Sequence, residues 1–460
     1  MKKFVALVLA VLMTVSSMAA LAEFAVPATG EKFIIYAWNE EFKGMLQNYY
    51  LVDAGCATEE VKDAAGNVTG VRAKANDDGT FTLPNGDIIE FVINPNDNGV
   101  YQQKLDAALD AGEQIDMFLI EADYAKKYVN TEYTRPLADV GITEEAMAKQ
   151  YPYTIDVARD ASGVVKGTSW QAAPGLFMYR RSLAEKYLGV KTPEEMQEMV
   201  KDWDTFIDTA RKVNETSAGA TKLIPSTNDV WQVVRTVRKA PWVDDSLNLS
   251  IDDQVKWYFD FSKTLNDENL TASAVPWSEA WNAGIGNDSI MGYFFSTWGI
   301  QWTMVGASGG SKPGEGTYGD WAAVNGPQPY YWGGTWLVSS KTCKNDALCK
   351  DIMEYFTVNS ESMKKYCLGS KDYVNNTEAI QQIIDAGFSF DFLGGQDHYS
   401  LFQAVTPLID TSTMSAYDQF INIEMDEQVQ AYSKGEKDYD AAIADFKASV
   451  VDLFPEITAE

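Results

Sequence analysis

KFIIYAW, residues 32–38, is a nearly continuous apolar run. Such a run is expected of a strand buried on both faces. The residues after it, 39–50, place Phe42, Met45, Leu46 and Tyr49 at helical spacing. Asp87–Asn94 (DIIEFVIN) reads as a second strand. Tyr101–Leu109 reads as a helix stopped by Gly112, and Ile115–Ile120 (IDMFLI) as a third strand. Strands and helices alternating at this spacing predict right-handed βαβ units and a parallel sheet, hence an α/β fold. In such sheets ligands bind beyond the carboxyl ends of the strands. Trp38 and Asn39 end the first strand, and Glu121 and Asp123 follow the third. These four are therefore expected to face one crevice.

Between the first two strands, residues 55–86 are rich in Gly, Asn and Asp and read as a hairpin insertion. The NDDG at Asn76–Gly79 has the look of a calcium loop but lacks the remaining ligands and the bidentate Glu, so it reads as a turn.

Further along, Gly167–Leu188 (GTSWQAAPGLFMYRRSLAEKYL) sets Pro174 and Gly175 between Trp170 and an apolar run. Pro fixes one dihedral and Gly frees the next, so the stretch 168–175 is expected to cross from one lobe to another. Thr192-Pro193-Glu194-Glu195 forms a capping box with Pro at N1. Trp203, Phe206, Ile207, Ala210 and Val213 follow as one helical face, which is core. Residues 251–266 form a further amphipathic helix, and 347–358 another. Aromatics then crowd at Trp277, Trp281, Tyr293, Phe294, Phe295, Trp298 and Trp302, interrupted by Gly284, Gly286, Gly292 and Gly299. Glycine-broken segments explain such rings poorly as one packed helix face, so a binding role is expected for at least one of Trp277, Trp281 and Trp298. Residues 306–329, rich in Gly, Ser and Pro, read as a long surface loop. Tyr330–Trp336 (YYWGGTW) holds Trp332 and Gly333 at a second expected crossing, and Leu393–Asp397 marks a third. Tyr439, Ile443, Phe446, Val450 and Leu453 stripe a closing helix.

The whole chain bounds these readings. Its 460 residues exceed one ordinary core, so two domains are expected. Lys2 and Lys3, the apolar run Phe4–Val15 and the small-x-small Ala20-Leu21-Ala22 form a secretory signal peptide over residues 1–22. The chain is thus expected to be exported and soluble, periplasmic or secreted, and no lipid-attachment cysteine follows the cleavage point. The net charge of −29 disfavours nucleic acid and anionic membranes as partners and suits a neutral ligand. Cys56, Cys343, Cys349 and Cys367 can pair in three ways. One histidine, His398, leaves no basis for a His-rich metal site. No cofactor or metal is expected.

Thirteen tryptophans with nearby acids suit a sugar, whose C–H faces pack on rings and whose hydroxyls need carboxylates. An aromatic-rich core would explain the same composition. Five stretches carry a resemblance that adds to this: Tyr101–Val129, Ser169–Gly189, MGYFFSTWGIQW at Met291–Trp302, YYWGGTWLVSSKT at Tyr330–Thr342, and GEKDYDAAIADFKASV at Gly435–Val450. In this order they resemble the carbohydrate-type extracellular solute-binding proteins of ABC transporters, the family that includes maltose-binding protein. The resemblance implies a two-lobe periplasmic-binding-protein fold (type II), each lobe a mostly parallel sheet flanked by helices. It implies lobes of residues 23–170 with 333–395 and 171–332 with 396–460. It further implies a monomer without enzymatic activity or catalytic residues, which holds a mono- or oligosaccharide between the lobes and presents it to ABC permease subunits by hinge closure. Carried over by position, Trp38, Asp123, Trp170, Trp298, Trp332 and Asp397 line the cleft. With Asn39, Glu121, Trp277 and Gly333 they complete the expected ligand-binding set. Two rivals stand: an exported glycosidase with paired carboxylates, and a peptide or amino-acid binder using Arg135, Arg180, Arg181 or Arg235 for a carboxylate.

Overall fold

The structure is a computed structural model that describes residues 24–96 and 99–459. The signal peptide read at residues 1–22 lies outside the described residues. The chain divides into two compact units, one reaching to Leu119 and including Ser339–Tyr355, the other comprising Ile120–Val338 and Phe356–Glu460. The expected crossings at 168–175, 330–336 and 393–397 all fall within the second unit.

In the first unit, strands β1 (Lys32–Ala37), β2 (Thr58–Lys62), β3 (Val68–Ala73), β4 (Phe81–Thr82), β5 (Ile88–Ile93) and β6 (Met117–Glu121) appear in that order along the chain, the last two residues of β6 being counted with the second unit. β1 pairs in parallel with β5, from Lys32 opposite Ile88 to Ala37 opposite Ile93, and in parallel with β6 at Ile35 opposite Met117. Helix Val100–Asp110 makes the crossover from β5 to β6. Phe33, Ile35, Tyr36 and Ala37 are buried, as a run without polar alternation requires. The Tyr101 hydroxyl donates to the Leu119 carbonyl at 2.6 Å and so pins the crossover helix to the strand it feeds. β2 and β3 form the expected antiparallel hairpin. Asn76–Gly79 is a turn, and Asp78 accepts from the Thr80 amide and hydroxyl.

The helix after β1 departs from its expected face. Residues Leu46–Tyr50 form a π-helical turn between α-helical Glu41–Met45 and Leu51–Asp53. The wider turn shifts the side chains beyond it by one position. Tyr50 rather than Tyr49 is therefore buried with Phe42, Met45 and Leu46, and its hydroxyl donates to Asp351 at 2.7 Å.

The second unit adds β7 (Gly167–Ser169), β8 (Gly175–Arg180), β9 (Gly292–Ser296), β10 (Trp321–Val324) and β11 (Thr335–Ser339). β8 is the middle of a three-stranded sheet, with β9 and β10 on its sides. Here the expectation of a mostly parallel sheet in each lobe needs correcting, because both pairings are antiparallel. The helical excursion that leaves β8 returns beside the carboxyl end of the same strand, Gly292 lying opposite Tyr179, so β9 must run backwards along it. The expected loop over 306–329 also contains β10, whose four residues WAAV are all buried. Surrounding glycines and prolines masked so short an apolar run. The capping box at Thr192 and Glu195 forms, and Phe206, Ala210 and Val213 are the buried face of helix Trp203–Thr216. Phe206 packs on Phe177 of β8 and Phe294 of β9, each at 5.5 Å between ring centroids. In the closing helix Tyr439–Leu453, Phe446 and Val450 are buried but Leu453 is exposed. The four cysteines carry free thiols. Among the described residues no helix is long and apolar enough to cross a membrane.

Gly175 has a different purpose from the dihedral freedom expected of it. It opens β8 in regular pairing with Ser296. A Cβ there would sit 1.9 Å from the Tyr330 ring. The Tyr330 hydroxyl is held by the carbonyls of Leu176 at 3.0 Å and Phe295 at 3.1 Å, so the ring has nowhere to retreat. Gly175→Ala should destabilise the protein by about 1–3 kcal/mol through overpacking. Urea unfolding checks this, and an unchanged midpoint would contradict the steric role.

Candidate functional site

β6 ends at Glu121, and the chain turns at once into a short 3-10 helix, Ala122–Tyr124. The Glu121 carboxylate caps that turn by accepting from the Asp123 amide at 2.9 Å. The Asp123 carboxylate is then directed at Arg235, whose Nη1 donates to it at 2.6 Å. Arg235 lies just beyond helix Thr227–Val234, is buried, and also donates from Nε to Gln232 at 3.1 Å. Burial first, and the Asp123 carboxylate second, push Glu121 up to about 8. Burial thus favours the protonated form of Glu121, which can donate a hydrogen bond as well as accept one.

The tryptophans gather beside these groups. β9 delivers Phe295, and the next helical segment begins with Trp298 in its first turn. The Trp298 indole N–H donates to the Trp332 carbonyl at 2.9 Å. The two rings meet edge to face, centroids 5.5 Å apart. Trp332 also stacks on Phe295 at 5.6 Å. Trp277 lies over both, 6.0 Å from Trp298 at an interplanar angle of 22° and 5.8 Å from Trp332. It is 51% exposed with a backbone φ of 70°, a conformation that bulky residues seldom adopt. Beneath it Trp281 is fully buried, and its N–H donates to Asp229 at 3.0 Å. Asp229 is likewise pushed up by burial, to about 7.

Gly333 joins the rings to the acids. Its φ is 74°, and a Cβ there would lie 3.3 Å from Trp298 Nε1 and 3.6 Å from Glu121 Oε1. Of the expected residues, Glu121, Asp123, Trp277, Trp298, Trp332 and Gly333 thus come together in the second unit. Trp170 and Asp397 belong to the same unit but do other things. Trp170 is 1% exposed, and its carbonyl accepts from the Asn375 amide. Asp397 caps helix His398–Val405 by accepting from the Ser400 amide at 3.2 Å. Trp38 and Asn39 belong to the first unit, where Trp38 meets Tyr101 edge-on at 5.5 Å and Asn39 accepts from the Glu41 amide. Arg235, expected only as a binder of a ligand's carboxylate, instead pairs with Asp123. Nothing local signals that pair, because its partners are 112 residues apart.

This arrangement offers flat apolar faces next to a proton-bearing carboxyl and a neutralised ion pair. It suits a neutral, hydroxyl-rich molecule. Arg180, Arg181 and Arg235 all hold acidic or carbonyl partners already, so none is an idle cation awaiting an anion. Among the described residues no group of three or more His, Cys, Asp or Glu side chains is placed to hold a metal ion.

Residues 79–388 match the family described as bacterial extracellular solute-binding protein. No curated protein sequence matches. Among solved structures, an extracellular solute-binding protein of family 1 superposes with a TM-score of 0.73 at 15% identity, over 92% of this chain and 99% of the other. The ABC-transporter-associated binding protein of B. animalis subsp. lactis Bl-04, in complex with beta-1,6-galactobiose, gives 0.66 at 17% identity, over 94% and 99%. Maltose-bound MalE3 of T. maritima gives 0.65 at 12% identity, over 92% and 100%. These likenesses bear out the α/β solute-binding fold expected from the sequence.

The raised Glu121 has a consequence for stability. The folded state keeps this proton up to about 8, whereas the unfolded chain releases it near 4.5. Its contribution is therefore complete below 4.5 and is lost as the pH rises toward 8. Asp229 acts in the same sense up to about 7. Glu121→Gln should flatten the fall in stability across that window, measured by urea unfolding at intervals of pH. A variant with the wild-type slope would contradict the assignment.

Proposed function

We propose that this chain, which belongs to the bacterial extracellular solute-binding proteins, captures a neutral mono- or oligosaccharide for an ABC importer. The observation that carries the reading is the contact of Trp277, Trp298 and Trp332 beside Glu121 and the Asp123–Arg235 pair. Indole faces take the C–H face of a pyranose, and the acid groups take its hydroxyls. The solved structures bound to beta-1,6-galactobiose and to maltose support a saccharide as the ligand class.

In this reading the protein is exported and acts as a soluble monomer. The hinging lobes are those expected from the sequence, residues 23–170 with 333–395 and 171–332 with 396–460. Sugar favours the closed form, and the permease recognises that population. The protein binds without turnover, so incubation with oligosaccharides should leave them intact. Shortened products would favour a glycosidase instead.

A thermal-shift screen over maltose, β-1,6-galactobiose and related sugars should find ligands that raise the melting temperature by mass action. Trp298→Ala should then weaken the best ligand by about 1–3 kcal/mol through lost apolar burial, read by isothermal titration. Unchanged affinity would remove Trp298 from the site, and a panel without any hit would count against a sugar.

A further inference from the structure

The four cysteines allow three pairings, and one pair is set apart by its surroundings. β11 ends at Ser339, and the turn after it leads into helix Asp346–Thr357. Cys343 lies in that turn, where its amide donates to the Ser340 carbonyl at 3.1 Å. Cys349 lies at the fourth position of the helix, and its amide donates to the Asn345 carbonyl at 3.0 Å. Asn345 caps the helix by accepting from the Leu348 amide at 3.0 Å. The chain just before such a cap commonly folds back onto the fourth helical position. Cys343 does so, and the Cys349 thiol is hydrogen-bonded to the Cys343 side chain.

The turn between the two is tied down on both sides of Cys343. The Ile115 amide donates to the Thr342 hydroxyl at 3.0 Å. Asp116, fully buried, accepts from the Lys344 amide at 2.6 Å and from the Ile34 amide of β1 at 2.8 Å. The Asn345 side chain donates to Asp87 at 3.2 Å. All of these residues belong to the first unit. The fold therefore holds the two thiols together. The other two cysteines are placed differently. Cys56 follows helix Leu51–Asp53, and its thiol is pushed up to about 11 by burial. Cys367 is buried in helix Ser360–Ser370 of the second unit, hydrogen-bonded to Tyr399.

We propose that Cys343 and Cys349 are a modification site, closing an intramolecular disulfide when the chain meets a disulfide oxidant. Cys343 is half-buried and Cys349 is 0% exposed, so the oxidant reaches Cys343 first. The hydrogen bond with Cys343, and burial after it, push the Cys349 thiol well above its ordinary range, so it keeps its proton until the second step. In the first step Cys343 gives its proton to water, and its thiolate attacks one sulfur of the oxidant. A mixed disulfide forms and one thiolate leaves. In the second step Cys349 passes its proton to that thiolate and attacks Cys343 Sγ, and the second thiolate leaves and takes up a proton from water. Two S–H bonds are lost and one S–S bond forms, while the oxidant gains two electrons and two protons to become two thiols. Compartments outside the cytoplasm favour such bonds. The export proposed above supplies that setting, whereas closure itself depends on neither export nor sugar.

The test treats the folded full chain with oxidised glutathione, alkylates it with iodoacetamide in urea, and reads its mass. Cys56 and Cys367 alone should take the alkyl group, whereas all four cysteines should take it after reduction with dithiothreitol. Trypsin cuts after Lys341, Lys344 and Lys350, so the bond should join residues 342–344 to 345–350. Cys349→Ser should retain one glutathione on Cys343, and Cys343→Ser should retain none on Cys349. Four alkylated cysteines in oxidised wild type would overturn the site. So would a bond that includes Cys56 or Cys367, or glutathione held on Cys343 of wild type as firmly as in Cys349→Ser. Mapping of the wild-type chain needs no substitution and decides the pairing even where a variant fails to fold.

Discussion

The site depends on a backbone constraint at Gly333 and Gly334. Both adopt positive φ, 74° and 108°, which side-chain-bearing residues seldom do. This pair of angles lets the chain leave Trp332 and enter β11, and it leaves the Trp332 carbonyl free to accept the Trp298 indole N–H. The space a Cβ would take at Gly333 lies against Trp298 and Glu121. Removing that clearance would push the rings away from the acids. Ring packing, acid placement and strand entry therefore share one small hinge of backbone.

Electrostatics then decide which solutes the site suits. Asp123 and Arg235 satisfy one another at 2.6 Å, and burial holds the Glu121 proton up to about 8. The Asp123–Arg235 ion pair and the favoured proton on Glu121 both reduce the negative charge beside the tryptophans, although the chain as a whole carries −29. An anionic solute would face the repulsion of the whole chain without a free arginine to compensate it. A polyol meets donors and acceptors at no such cost. Trp281 and Asp229 supply the floor, a buried indole fixed by a hydrogen bond at 3.0 Å, so the exposed Trp277 rests on a rigid base.

Much of this was legible in the sequence, and what was not has physical reasons. β1, β5 and β6 were readable because strands buried on both faces show unbroken apolar runs. The helix faces at Phe206 and Phe446 were readable from their period. That Glu121 and Asp123 follow β6 was readable from the apolar run before them, and Trp298 and Trp332 stood out as rings set among glycines, their binding role being part of the proposal. The π-turn at Leu46–Tyr50 was not, because one extra residue in a turn leaves no compositional trace. β10 was hidden by its length, and the antiparallel course of β9 was set by where a long helical excursion ends. Trp170 has the same local signature as the site tryptophans, glycine and small residues nearby, yet it is 1% exposed. Burial is a property of the assembled unit. For the same reason no local pattern could pair Arg235 with Asp123.

The most direct measurement is a crystal structure with the saccharide that gives the largest thermal shift. A pyranose face should lie in van der Waals contact with Trp298 or Trp332, with a sugar hydroxyl hydrogen-bonded to the Glu121 or Asp123 carboxyl. A saccharide seated away from all three indoles, or one whose hydroxyls engage neither acid, would contradict it.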